Sequence, residues 1–178
     1  IANATGTLAA QAIGARRYDE ARSTGWAGIG LAAGLSSLIG IAIWLLRAPI
    51  IHAYTPDPAV FAVALPLFIF IGFYQLFDAV QVSAAFLLRA YRVAVVPTIM
   101  YAVALWGVGL GGGYLLGLDP YGIAPQALRG PAGFWLGNSA SLALVGAGLI
   151  WYLRRVQRRT EEEARRFAAV ASESVAAG

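Results

Sequence analysis

The sequence contains no cysteine and no lysine, a single histidine at His52, and charged residues at only 12% of positions. Without cysteine there are no disulfides and no thiolate metal sites, and one histidine cannot build a histidine metal cluster. Charge is too sparse, and the 59% hydrophobic content too high, for a soluble core in a chain of 178 residues. The composition describes a polytopic membrane protein. The net charge of +4 does not point to nucleic acid, because the basic residues, all arginine, sit in the gaps between apolar runs.

The first apolar run, IANATGTLAAQAIGA, stops after about half a membrane span of about 20 residues. It reads as the trailing half of a helix, which makes the chain a C-terminal fragment of a longer protein. Four complete spans are expected after it, over Gly25 to Leu46, Pro66 to Leu88, Ala94 to Leu116 and Phe134 to Leu153. None shows the period-2 alternation of an outer-membrane barrel strand, so the fold class is all-α. HAYTPDPAVFAVAL should form an external turn leading into a short interfacial helix, and Pro66 should kink or begin the next helix. LDPYGIAPQALRGPAGF reads as a second external loop, broken by Pro120, Pro125 and Pro131. The chain then divides into a transmembrane part, residues 1–154, and a cytoplasmic charged tail, residues 155–178. In the tail, Glu161 and Glu162 are spaced to pair with Arg165 and Arg166 at i,i+4, and its end should fray.

One ionisable residue lies deep in the long apolar stretch ALPLFIFIGFYQLFDAVQVSAAFLL. Asp78 stands eleven residues before Arg89, which at 1.5 Å per residue places it roughly 16 Å deep, near the middle of a hydrocarbon core about 30 Å thick. A carboxylate there is expensive, and it binds a cation, relays a proton or pairs with a base. Tyr74, Gln75, Asp78 and Gln81 share an arc of roughly 120° on the helix, with Ile69, Phe73, Leu76, Val80 and Leu87 on the other side. The polar arc is expected to line a bundle interior or wet cavity, with the Tyr74 hydroxyl orienting the carboxylate from one turn away. The bland alternative is a polar contact that only holds helices together.

Gly30/Gly34, Gly109/Gly113 and Gly113/Gly117 match the small-xxx-small spacing that lets membrane helices approach closely. GIGLAAG and GVGLGGG are not phosphate loops, since they lie inside apolar spans with neither a preceding strand nor a lysine. Asn3-Ala4-Thr5 spells a glycosylation sequon inside an apolar helix and is incidental. Trp26 and Trp44 bracket one span, and Trp106, Tyr114, Trp135 and Trp151 are placed as aromatic-belt residues would be. His52 reads as a solvated loop residue.

The order AQAIGARRYDEA, YTPDPAV, FYQLFDAVQ, FLLRAYRVAVVP, LWGVGLGGGYLL and FWLGNSASLAL resembles the C-terminal part of the multidrug and toxic compound extrusion (MATE) transporters over residues 1 to about 154. The resemblance implies a partial C-terminal lobe, from the end of the eighth helix through the twelfth, of a transporter with two internally repeated lobes. It further implies export of cationic and amphipathic small molecules in exchange for sodium ions or protons. The family's tyrosine, one turn before an aspartate followed by Ala and Gln, matches Tyr74, Asp78, Ala79 and Gln81. Asp78 and Tyr74 thereby inherit a cation-binding or proton-binding role, with Gln75 and Gln81 lining the cavity. No other cofactor and no further metal is implied, and the acidic partner in the family's seventh helix lies outside this chain. Three departures stand out. Ala10 and Arg16 replace glycines of GQxxGAG, LRGxG has become Leu88-Arg89-Ala90-Tyr91-Arg92, and Gly111 replaces a proline common near LWGVGL.

The function expected is therefore secondary antiport, carried out with an N-terminal lobe of the same protein and without enzymatic chemistry, which a lone carboxylate cannot support. The alternatives are a structural or assembly subunit of a membrane complex and a related lipid or polysaccharide flippase, though the latter should have a more arginine-rich cavity. Eleven arginines fall in the first and third gaps and the tail, against only Arg47 and Arg129 in the second and fourth gaps. Positive charge marks the cytoplasmic side, so the chain should sit in the inner membrane with its C-terminus in the cytoplasm. Topology reporters fused after Arg17, Arg92 and Arg166 are expected to report cytoplasm, and those near Asp57 and Gly122 the exterior. Inverted signals at these sites would overturn the orientation.

Overall fold

The computed structural model describes residues 1–176, and every regular element among them is helical. In order these are α1 (Ala2–Gly14), α2 (Tyr18–Leu45), α3 (Arg47–Tyr54), α4 (Pro58–Ala90), α5 (Val95–Val103), a π-helical stretch (Ala104–Gly111), α6 (Gly112–Gly117), a 3-10 turn (Gln126–Leu128) and α7 (Pro131–Ala176). Four helical stretches are long and apolar enough to cross a membrane: Tyr18–Leu45, Pro58–Ala90, Val95–Gly117 and Pro131–Phe167. The expected all-α architecture with four complete spans and a shorter leading helix holds.

Several boundaries differ from those expected. The short helix, α3, precedes the turn at residues 55–57 instead of following it, and His52 lies on α3 stacked against Phe61 with ring centroids 4.5 Å apart. The long span starts at Pro58, because Asp57 caps it: its carboxylate accepts from the Ala59 amide at 2.8 Å, and a proline at N1 has no orphan N–H to satisfy. Pro66 is therefore internal to α4. At the other end, α7 continues without a break past residue 154 as one helix of 46 residues. Glu161 does not follow the i,i+4 pattern; it turns across to Arg22 of α2 at 3.3 Å. The expected fraying of the chain's end concerns residues 177 and 178, outside those described.

The core lies around the C-terminal half of α4, which is sandwiched between α2, α1 and α7. Ala84, Leu87 and Leu88 of α4 meet Ala9, Ile29, Val145, Leu149 and Leu153. In lipid this packing gains little from hydrophobic transfer, so close contact has to supply the stability. Glycines on α2 allow it: the Leu87 side chain sits against Gly25, Thr5 against Gly28, and the backbones of Gly40 and Gly72 touch. Gly30 and Gly34, expected to pack, face open space among the described residues. The sequon is closed off as well, since Thr5 is buried and its hydroxyl donates to the Ile1 carbonyl at 3.1 Å.

A second seam joins the π-helical stretch and α6 to the start of α7. Gly109, Gly113 and Gly117 recur at four-residue intervals opposite Ser141, Gly137 and Gly133, running antiparallel. A Cβ at Gly137 would stand 2.7 Å from the Gly113 nitrogen and 2.8 Å from the Gly109 carbonyl oxygen. The loop between the helices is closed by Asp119, whose carboxylate accepts from the Ala124 amide at 2.8 Å and pairs with Arg129 at 2.7 Å. Arg129 is thus neutralised locally.

The helix ends near the two arginine-bearing turns are tied by polar contacts. The Trp26 indole N–H donates to the Gln157 side-chain oxygen at 3.2 Å, and the Arg154 guanidinium lies over the Trp26 ring at 5.1 Å. Tyr91 adjoins this cluster, where burial pushes its phenol above the usual range and the Gln157 contact and the Arg22 charge oppose the shift. Both connecting turns end their helices identically. Arg16 donates to the Ile13 carbonyl and Arg17 to that of Ala12; Arg92 donates to Arg89 and Val93 to Leu88. This is the Schellman pattern, whose pivotal residue adopts the left-handed conformation. Here Arg16 and Arg92 hold it, at φ 59° and 62°. These are two of the positions where the family resemblance leads one to expect glycine.

Two measurements test this account by thermal unfolding in detergent. Gly137→Ala should destabilise by about 1–3 kcal/mol through overpacking against backbone that cannot retreat, whereas Gly30→Ala should be neutral or stabilising by up to about 1 kcal/mol. Arg16→Gly and Arg92→Gly should each stabilise by up to about 1 kcal/mol, relieving the left-handed strain that a side chain imposes. A loss of stability in the arginine variants would show that the guanidinium contacts outweigh the backbone.

Candidate functional site

Asp78 sits where α4 leaves the packed core. Below it Gln81, Ser83, Ala84, Leu87 and Leu88 are buried; above it Phe73 is 53% exposed and Ile69 and Val63 are likewise open. Asp78, Tyr74 and Gln75 are half-buried along this edge. Gln81 takes a different place: it is 8% exposed and lies between α4 and α7, next to Gly146 together with Val80 and the Phe77 carbonyl. The polar arc is thus divided, with Tyr74, Gln75 and Asp78 at the opening and Gln81 in the helix interface. Leu87, assigned to the opposite side of the helix, is fully buried against Gly25.

No hydrogen bond or ion pair engages the Asp78 carboxylate among the described residues. Its surroundings are aromatic instead. Tyr74 meets Trp135 of α7 edge-on, with centroids 6.2 Å apart, and Tyr101 of α5 lies within electrostatic reach of the Tyr74 phenol. Three helices therefore converge on the level of the acid. The oxygens that this chain can offer a cation there are the Asp78 carboxylate and the Tyr74 hydroxyl, one helical turn apart, with the Gln75 amide beside them. They fit a monovalent cation or a proton, and among the described residues no cluster of histidines and acids suits a multivalent metal.

Trp135 also forms a wall of a cavity of about 440 Å³ between the π-helical stretch and the start of α7. Leu105, Trp106, Gly109, Leu110, Phe134 and Asn138 complete its lining. Sequence reasoning did not find this cavity. The signals available were the glycine run that widens the helix and the FWLGN segment that faces it.

The chain is similar to known membrane proteins. Residues 1–115 match the MatE family model. The chain is 42% identical over 156 residues to a probable multidrug resistance protein NorM of Aromatoleum aromaticum, covering 86% of this chain and 33% of that protein. It is 38% identical over 148 residues to a probable multidrug resistance protein NorM of Chromobacterium violaceum, covering 82% and 31%. It is 41% identical over 130 residues to the multidrug resistance protein PmpM of Pseudomonas aeruginosa, covering 72% and 26%. The chain spans about a third of the length of these relatives or less. With more than half of its residues matched by the family model, the chain belongs to the multidrug and toxic compound extrusion family.

Proposed function

We propose that the protein containing this chain is a secondary antiporter of the inner membrane that exports organic cations or other amphipathic drugs in exchange for sodium ions or protons. Asp78 takes the coupling ion and Tyr74 orients it, with Gln75 beside the entrance. The observation that carries this reading is a mid-membrane carboxylate with no partner among the described residues, at the edge of the packed core. A charge left alone at that depth is costly, so a proton or a cation has to compensate it. Coupling requires that this ion bind the outward-facing and inward-facing states unequally, and a site bordering the moving interface between lobes can do that. The N-terminal lobe supplies the other face of the cavity, so residues 1–178 by themselves should not transport. The eleven-to-two arginine asymmetry supports a cytoplasmic C-terminus.

In the full-length protein, Asp78→Asn is expected to abolish ion-driven efflux while expression and membrane insertion persist, because an amide of similar size is less costly to bury than a charge. Asp78→Glu should keep part of the activity, and Tyr74→Phe should weaken coupling less than Asp78→Asn. The measurement is efflux from cells or vesicles under an imposed sodium or proton gradient. Parental rates in Asp78→Asn would mean that the acid only packs helices, as it would in an assembly subunit.

A further inference from the structure

We infer that the continuation of α7 past Leu153 is a conformational clasp, in which the buried amide of Gln157 joins α2 to the turn after α4 and so offsets the left-handed backbone of Arg92. The inference does not depend on what the protein transports.

The stripe of α7 that meets the core is the first observation. Val145, Leu149 and Leu153 recur four residues apart and are at most 2% exposed, and one turn further along the same stripe Gln157 is equally buried. The stripe changes from apolar to polar while staying inside the protein. Burying an amide is costly unless both of its ends find partners. The Gln157 oxygen accepts from the Trp26 indole of α2 at 3.2 Å. Its nitrogen makes no full hydrogen bond among the described residues, and the Tyr91 hydroxyl is the group it lies against. One more turn along, Glu161 reaches α2 again through Arg22 at 3.3 Å. These contacts are internal to the chain, so they stand whatever covers its outer faces.

The turn itself is the second observation. Arg92 donates its amide to the Arg89 carbonyl and Val93 to that of Leu88, both at 2.9 Å, with Arg92 at φ 62°. A residue with a Cβ disfavours that conformation, which persists where the surrounding structure over-determines it. Both neighbours of Arg92 are held: Tyr91 and Val93 pack against the core cluster that contains Leu149 and Leu153. Gln157 adds a polar tie at the far end of the Tyr91 ring, and so acts on Arg92 through the adjacent residue. The other left-handed arginine, Arg16, borders the same cleft as Glu161 and Arg165, so one helical continuation runs beside both strained turns.

The test is hydrogen–deuterium exchange of the full-length protein in detergent, read at the Arg92 and Val93 amides, whose bonds close the turn. Gln157→Leu keeps the bulk of the stripe and removes the amide. It should speed exchange at both positions about tenfold and leave the seam at residues 133–141 unchanged. Adding Arg92→Gly should return exchange to within about threefold of the parent, because glycine holds a left-handed turn unaided. Adding Arg92→Ala should not, since alanine loses the guanidinium but keeps the strain. Tyr91→Phe retains the ring and should speed exchange about threefold, with the same rescue by glycine. If Gln157→Leu fails to fold, the Tyr91→Phe series decides alone. Unchanged exchange at the turn, or equal acceleration along residues 133–141, overturns the clasp. Rescue by alanine as well as glycine, or by neither, overturns its link to the strained backbone.

Discussion

Close approach of helix backbones is the constraint on which this structure depends. Lipid tails solvate leucine as well as another helix does, so association has to come from contact, and contact needs small residues at the seams. Gly25, Gly28 and Gly40 bring α2 onto α1 and α4, and the Gly109/Gly113/Gly117 row brings the third span onto Gly133, Gly137 and Ser141 of α7. Asp78 and the aromatic cavity are placed by these two seams. The first holds the C-terminal half of α4 tightly; the second sets the aromatic cavity against the start of α7.

The packing is uneven along α4. The core between α2, α4 and α7 ends near Gln81, and from Asp78 outward α4 offers open flanks. The change from rigid to open therefore falls at the acid. At the packed end, Trp26 with Gln157 and Arg22 with Glu161 fasten α2 to α7, so this end of the bundle is closed by hydrogen bonds and charge as well as by packing. The long continuation of α7 explains why an acidic triplet sits in a basic tail: at least Glu161 serves a neighbouring helix.

Local rules are also broken where the family resemblance had flagged departures. Arg16 and Arg92 occupy left-handed positions that glycine would fill without strain, and Gly111 ends a π-helical stretch where the family commonly has proline. The two turns retain the full Schellman hydrogen-bond pattern despite the arginines, which shows that the capping bonds prevail over the side-chain preference. In the third span, a proline's fixed φ is replaced by a glycine run that accommodates a wider coil.

The sequence by itself determined what depends on composition and spacing along one element: an all-α membrane bundle, four spans, a lone carboxylate at mid-depth, and Tyr74 one turn from it. Hydrocarbon imposes those outcomes, because an apolar run of span length has to satisfy its own backbone and a buried acid cannot be hidden in an average. Tertiary structure alone decided which side chains from different helices meet. It withdrew Gln81 into the interface with Gly146, left Gly30 and Gly34 unpacked, sent Glu161 to Arg22, and opened a cavity between Trp106 and Trp135. Periodicity places a residue on a face of its own helix, but the crossing of two helices is set by where small residues on both allow contact, and that cannot be read from either helix alone.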